Sequence, residues 1–187
     1  MSILYRIHKH IVAAAALAVV FSIPAGADAA DDQADLIARL QQASAVDSRM
    51  IVREIRMKWD QSGSATVDLI HQRGKKALER QDFAEAVEHF TAAIDHAPGF
   101  AAAHYGRARA LAGLQQAGPA LADLEQALLL NANHFDAVYG MAVLLEQVER
   151  PALAYEAYAL VLALNPHYDE AHAARARLEQ RVKGQSL

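Results

Sequence analysis

The stretch AIDHAPGFAAAHYGRA, residues 93–108, reads as the end of an apolar helix, a proline, and a second helix opening on small residues. The same arrangement returns as ALLLNANHFDAVYGMA at 127–142 and as VLALNPHYDEAHAARA at 161–176, each time 34 residues further on. A fixed period of this length marks a repeat architecture, in which one helix pair cannot bury its apolar face alone and stacked neighbours complete the core.

Three units, 67–100, 101–134 and 135–168, bring like residues into register. Position 8 holds Gly74, Ala108 and Ala142, position 20 holds Ala86, Ala120 and Ala154, and position 27 holds Ala93, Ala127 and Val161. Small side chains thus recur where two helices have to approach closely. Position 24 is large, as Phe90, Leu124 and Tyr158, and position 28 is Ile94, Leu128 and Leu162. Columns 20, 24, 27 and 28 fall on one face of a 3.6-residue helix, the core face of the second helix in each unit.

The boundaries agree. Asp82 with Glu85 three residues on forms a variant of the capping box, and Pro119 and Pro151 sit at the opening of the equivalent helices, where a missing N–H costs nothing. Pro98 and Pro166 close their units, because the residue before a proline is pushed out of the helical region.

These columns resemble the tetratricopeptide repeat family. The match lies at positions 8, 20, 24, 27 and 32, with Ala132 in place of the proline of the second unit. The chain departs from the family at position 4, where Ile70, His104 and Val138 stand for a tryptophan, and at position 7, where Arg73, Arg107 and Met141 are mixed. The resemblance implies an all-α, right-handed α-solenoid of three helix pairs. Residues 66–183 form its repeat domain, and DEAHAARARLEQRV from 169, running to 183, serves as a charged C-terminal capping helix.

Two further helices are expected ahead of the repeats, in DDQADLIARLQQA and SAVDSRMIVREIRMKWD. The second has a capping box of Ser44 and Asp47 and an apolar stripe through Ile51, Ile55 and Trp59. We read residues 28–65 as an N-terminal helical cap with Trp59 packed on the first repeat, the alternative being a partner-binding helix. Ahead of it, residues 1–27 read as a secretory signal peptide. Arg6 and Lys9 occur with no acid, Ile11 to Ile23 is an unbroken apolar run, and PAGADAA offers cleavage after Ala27 or Ala29. The location expected is periplasmic or secreted, without stable membrane insertion after cleavage, since the apolar run falls short of the ~20 residues a spanning helix needs.

Removing residues 1–27 takes away two basic side chains and no acid, leaving 16 Lys+Arg against 22 Asp+Glu and a formal charge of −6. Such a chain is a poor match for nucleic acid, which needs clustered cations. Cysteine is absent, so disulfides, thiol catalysis and thiolate metal sites are excluded. No nucleophile elbow, phosphate loop or zinc-binding His-Glu-x-x-His occurs. His167 and His172, five residues apart across a turn, point their rings apart, and no metal or cofactor is expected.

What remains is surface. In the family resembled, positions 2, 5, 9, 12 and 13 face the concave groove. Carried over, these are Asp68, His71, Lys75, Leu78 and Glu79, then Ala102, Tyr105, Arg109, Ala112 and Gly113, then Asp136, Tyr139, Val143, Glu146 and Gln147. Lys75 and Arg109 would form a cationic spot, with Tyr105 and Tyr139 as flat anchors. The family's carboxylate clamp for chaperone C-termini needs Lys, Asn and Asn where this chain has His71, Lys75 and Gly106, so that partner is not expected. The expected function is a non-catalytic adaptor holding a peptide or protein segment of the cell envelope. The alternatives are a self-assembling envelope scaffold acting through Trp59 and the N-terminal helices, or an accessory to an envelope enzyme or cytochrome-maturation complex. The sequence leaves the oligomeric state open.

Overall fold

A computed structural model describes residues 27–184, with side chains from 32 to 182; the signal-peptide expectation for residues 1–27 therefore lies almost wholly outside the described residues. Within them the chain is helical throughout: α1 (Ala27–Gln42), α2 (Ala45–Trp59), α3 (Ala65–Glu79), α4 (Phe83–His96), α5 (Ala101–Gly113), α6 (Ala117–Leu130), α7 (Phe135–Gln147), α8 (Pro151–Leu164) and α9 (Asp169–Gly184). The helices α3 to α8 pack as antiparallel pairs, each pair against the next, and α9 closes the row on α8.

The 34-residue period is visible atom by atom. Ala86, Ala120 and Ala154 have no exposed surface, nor do Ala93, Ala127 and Val161, and Phe90, Leu124 and Tyr158 fill the space they leave. The turn inside each pair has one residue with positive φ, at Gln81, Gln115 and Glu149. There the chain reverses so that the next amide reaches back into the helix, as Gln116 N–H does to the Leu111 carbonyl at 2.9 Å. Caps act as the residues predict: Asp82 accepts from the Glu85 amide, and Ser44 accepts from Asp47 N–H at 3.2 Å.

Position 4 shows what replaces the family's tryptophan. His104 is buried, with Nε2 3.1 Å from the Pro98 carbonyl and Nδ1 3.5 Å from Asp123. Asp123 also receives a bidentate pair from Arg107, both bonds 2.7 Å. Burial pushes the Asp123 carboxyl up, but the bonds from Arg107 and His104 outweigh it and hold the group below the usual carboxylate range. A polar knot thus joins α5 to α6 at this position.

The N-terminal helices correct one expectation. They do not stack on the end of the first repeat, where Leu69 stays exposed. They form a hairpin laid lengthwise along the edge where successive repeats join. Gln33 of α1 donates to Asn131 at 2.8 Å, Gln41 donates to the Ala163 carbonyl at 3.0 Å, and His167 bonds the Ala43 carbonyl at 2.8 Å. The helix α2 runs back the other way, from Tyr168 past Asp136 to Lys75. Trp59 packs where the second repeat meets the third: its ring stacks on His134 with centroids 4.2 Å apart and tilts on Phe135 at 4.8 Å. The physical reason is charge. Arg56, one turn ahead of Trp59, grips the buried Asp136 with bonds of 2.8 and 2.7 Å, and no repeat-one carboxylate is similarly enclosed.

Candidate functional site

The first helix of each pair points one face into the concave side, and α2 stands along the rim of that side. Together they line an open-mouthed chamber of about 390 Å³. Its floor comes from α3, α5 and α7, through His71 and Lys75, Ala102, Tyr105, Gly106 and Arg109, and Asp136 and Tyr139. Its wall comes from Arg56, Trp59 and Asp60 of α2 and its C-cap, and Tyr168 closes the far end.

Each floor residue can be followed to its partner. Asp136 is buried, held by Arg56 and by the Tyr168 hydroxyl, which donates at 3.2 Å. Lys75 is tied to Asp60 by a short ion pair. His71 is buried between the rings of Phe90 and Phe100, and burial pulls its pKa below the usual histidine value. His134 accepts the Ala137 amide with Nδ1, capping α7, and burial brings it down to about 4. Tyr105 tilts on His134 at 4.7 Å, and burial pushes its hydroxyl up to about 12. Tyr139 stacks on Tyr168 with centroids 4.9 Å apart. Arg109 is exposed and rests its guanidinium 5.7 Å from the Tyr105 ring centre.

Of the residues carried over from the family, Lys75, Ala102, Tyr105, Arg109, Asp136 and Tyr139 meet here with His71. Val143 and Glu146 do not. They line a shallower hollow between α7 and α9, where Glu146 accepts from Tyr158 at 2.8 Å and from Arg177 at 2.7 and 2.9 Å. The Arg177 bonds hold the Glu146 carboxyl below its ordinary value. Asp68 is spent on the linker, accepting from the Ser62 amide at 2.7 Å and hydroxyl at 2.6 Å. Leu78 and Ala112 pack into the core instead of lining the chamber.

Sequence reading missed Arg56, Asp60, His134 and Tyr168 at this site. Only Arg56, Trp59 and Asp60 left a trace, as residues spaced three and one apart at the end of an amphipathic helix, with nothing to say what they would face. Trp59 is covered, so self-association through its ring, expected as an alternative, has no exposed aromatic to use. Among the described residues no group of three or more His, Asp or Glu is placed to hold a metal ion, and no helix is long and apolar enough to cross a membrane. His172 bonds the Pro166 carbonyl at 2.8 Å, and His167 the Ala43 carbonyl, so both imidazoles are engaged with backbone.

The arrangement of helix pairs matches solved structures. The first TPR domain of Spaghetti (RPAP3), bound to the HSP90 peptide SRMEEVD, superposes with a TM-score of 0.61 at 22% identity, covering 63% of this chain and 95% of that one. This is a tetratricopeptide-repeat fold. The TPR2B domain of yeast Sti1, in a complex with pHsp70, gives 0.59 at 24% identity over 63% of this chain and 99% of that one. The Sgt2 TPR domain from Aspergillus fumigatus gives 0.62 at 19% identity, over 66% and 83%. A TPR repeat-containing protein of Rhizobium etli is 31% identical over 116 residues, which is 62% of this chain; the chain covers 57% of that relative's length. No family model matches the chain.

Proposed function

We propose that this tetratricopeptide-repeat chain is a non-catalytic adaptor that seats a segment of a partner protein on its concave side, at the chamber floored by Tyr105, Arg109 and Tyr139. The observation that carries the reading is the composition of that chamber. Flat aromatic faces and an exposed arginine are the features of interface hot spots. The solved TPR domains of Spaghetti (RPAP3), bound to an HSP90 peptide, and of yeast Sti1, in a complex with pHsp70, lend support by analogy of fold. Lys75, expected to form a cationic spot with Arg109, is matched by Asp60, so the partner meets Arg109.

The location belongs to the same proposal. The apolar run of residues 11–23, followed by PAGADAA, supports export to a periplasm and a partner in the cell envelope. N-terminal sequencing of the protein from its own cells is expected to begin at Asp28 or Ala30; retention of Met1 removes the export half of the reading. For the adaptor half, the test is crosslinked capture by the exported protein. The double variant Tyr105→Ala with Arg109→Glu is expected to lose a partner that the unaltered chain retains. A double variant of exposed residues off this face, Glu88→Ala with Glu156→Ala, keeps it. Equal capture by both refutes the groove assignment.

A further inference from the structure

Accepting that the concave side is the binding face, the structure says more about what fits there, because α2 changes its shape and its charge.

The wall is fixed. Leu36, Ile37 and Leu40 of α1 and Ile51, Ile55 and Trp59 of α2 are all buried and belong to one apolar core with the second and third repeats. Some of that burial lies between α1 and α2 themselves and would survive detachment, but the Trp59 stack, the Arg56–Asp136 pair and the three edge hydrogen bonds would not. A guest that had to lift the strap would lose about a thousandfold in affinity relative to one that leaves it in place. The chamber is therefore closed along one rim, and its about 390 Å³ lies at the small end of the ~300–1,000 Å³ typical of small-molecule pockets. It suits one flat group better than a long extended segment.

The charge is nearly cancelled from within. Three cations line the space, Arg56, Lys75 and Arg109, against two acids, Asp60 and Asp136. Arg56 is committed to Asp136 and Lys75 to Asp60. Arg109 makes no ion pair among the described residues and lies against a ring. His71 and His134, both lowered by burial, add no charge at neutral pH. The lining carries one net positive charge on a chain whose formal charge is −4. Around it stand the rings of Trp59, Tyr105, His134, Tyr139 and Tyr168.

We infer that the chamber takes a singly anionic aromatic group, a flat ring bearing one carboxylate on a short arm, with the carboxylate on Arg109 and the ring among the tyrosines. This chemistry has two sources, a free aromatic acid or the last residue of a polypeptide, and the test separates them.

Titration calorimetry on the whole chain uses N-acetyl-tryptophan, its amide, and a hexapeptide ending in tryptophan with a free carboxylate. The acid is expected to bind with a dissociation constant on the order of 0.1–1 mM. The amide should bind at least about tenfold more weakly, the difference that a charge-assisted hydrogen bond makes. Arg109→Gln is expected to bring the acid down to the level of the amide with a melting temperature nearly unchanged, since Arg109 is exposed and, among the described residues, makes no ion pair and touches only the Tyr105 ring. If the hexapeptide binds as tightly as the acid, the source is a chain end; if only the free acid binds, it is a small molecule. Equal binding of acid and amide, or an unaltered affinity in Arg109→Gln, overturns the inference. So does failure of the acid while a blocked internal segment binds, and in that case the adaptor reading survives. Acid binding with no partner captured by the exported protein keeps the ligand class and removes the adaptor.

Discussion

Phe90 has no exposed surface and lies between two glycines of neighbouring repeats. A Cβ on Gly74 would come within 2.8 Å of its ring, and one on Gly106 closer still, so the ring touches bare backbone on both sides. Gly106→Ala is therefore expected to destabilise the fold by about 1–3 kcal/mol, overpacking outweighing the better helix propensity of alanine. Gly140, at the matching place one repeat on, has its nearest neighbour, Leu124, at 3.4 Å, an ordinary contact. There Ala should leave stability unchanged or raise it by up to about 1 kcal/mol. Urea unfolding of the two variants checks the contrast, and equal effects would refute it.

His134 gives the residue scale a pH signature. Its ring is held neutral by burial, with its pKa down to about 4 against an ordinary 6.5, although Asp136 and Asp60 nearby pull the other way. Between those two values the unfolded chain binds a proton that the folded chain refuses, so stability falls as pH drops from 6.5 towards 4 and levels below that. The neighbouring His71, also lowered, adds with the same sign. The carboxylates held low, Asp123 and Glu146, lose their contribution only at more acid pH, below the ordinary carboxylate value. His134→Asn keeps an acceptor for the Ala137 amide and removes the titration. Unfolding free energies measured from pH 7 to 4.5 are expected to slope less steeply in this variant by on the order of 1–2 kcal/mol over the range. An identical slope would mean that His134 is solvated.

At the scale of elements, α2 reads plainly in one respect and not in another. Its period put Ile51, Ile55 and Trp59 on a buried face, and they are buried, while Val46, Met50 and Met57 point outward. Which surface the stripe would meet was not in the period, because any apolar patch of the right width satisfies it. The choice was made by Arg56 finding Asp136. Arg56 is half exposed and Asp136 is not, so Arg56→Ala strands a buried carboxylate and is expected to cost about 1–3 kcal/mol, discounted from the loss of a fully buried pair. Asp136→Ala made together with Arg56→Ala should cost less than the sum of the single changes by about 1 kcal/mol or more. Strict additivity in thermal or urea unfolding would place the pair outside the energetics of the strap. The repeat helices were legible almost to the residue, because alanine and glycine columns report helix contact distance directly. The histidine at position 4 was not, since it buries itself only through Asp123 and Arg107, from another turn and another helix.

At the scale of the molecule, the strap ties the third repeat to the first repeat across the concave side, where an open array would have contacts only between neighbours. Its amides should consequently resist exchange together with the core of the array. Hydrogen exchange on the whole chain is expected to protect residues 36–40 and 51–59 to a degree similar to α7 and α8, in one cooperative unit. Rapid exchange there, with α7 and α8 still protected, would make the strap a loosely held arm and return the concave side to an open groove.

The amino-acid sequence by itself determined that helices would pair and stack every 34 residues, because side-chain size repeated in register states how near two helices can come. It determined the caps at Ser44 and Asp82 as well, since these are settled within four residues of the chain. Only the tertiary structure decided where the first two helices lie, which groove residues keep a free charge, and that the concave side is walled. Those outcomes depend on pairs such as Arg56 with Asp136, 80 residues apart, and no local pattern encodes which distant charge a side chain will meet.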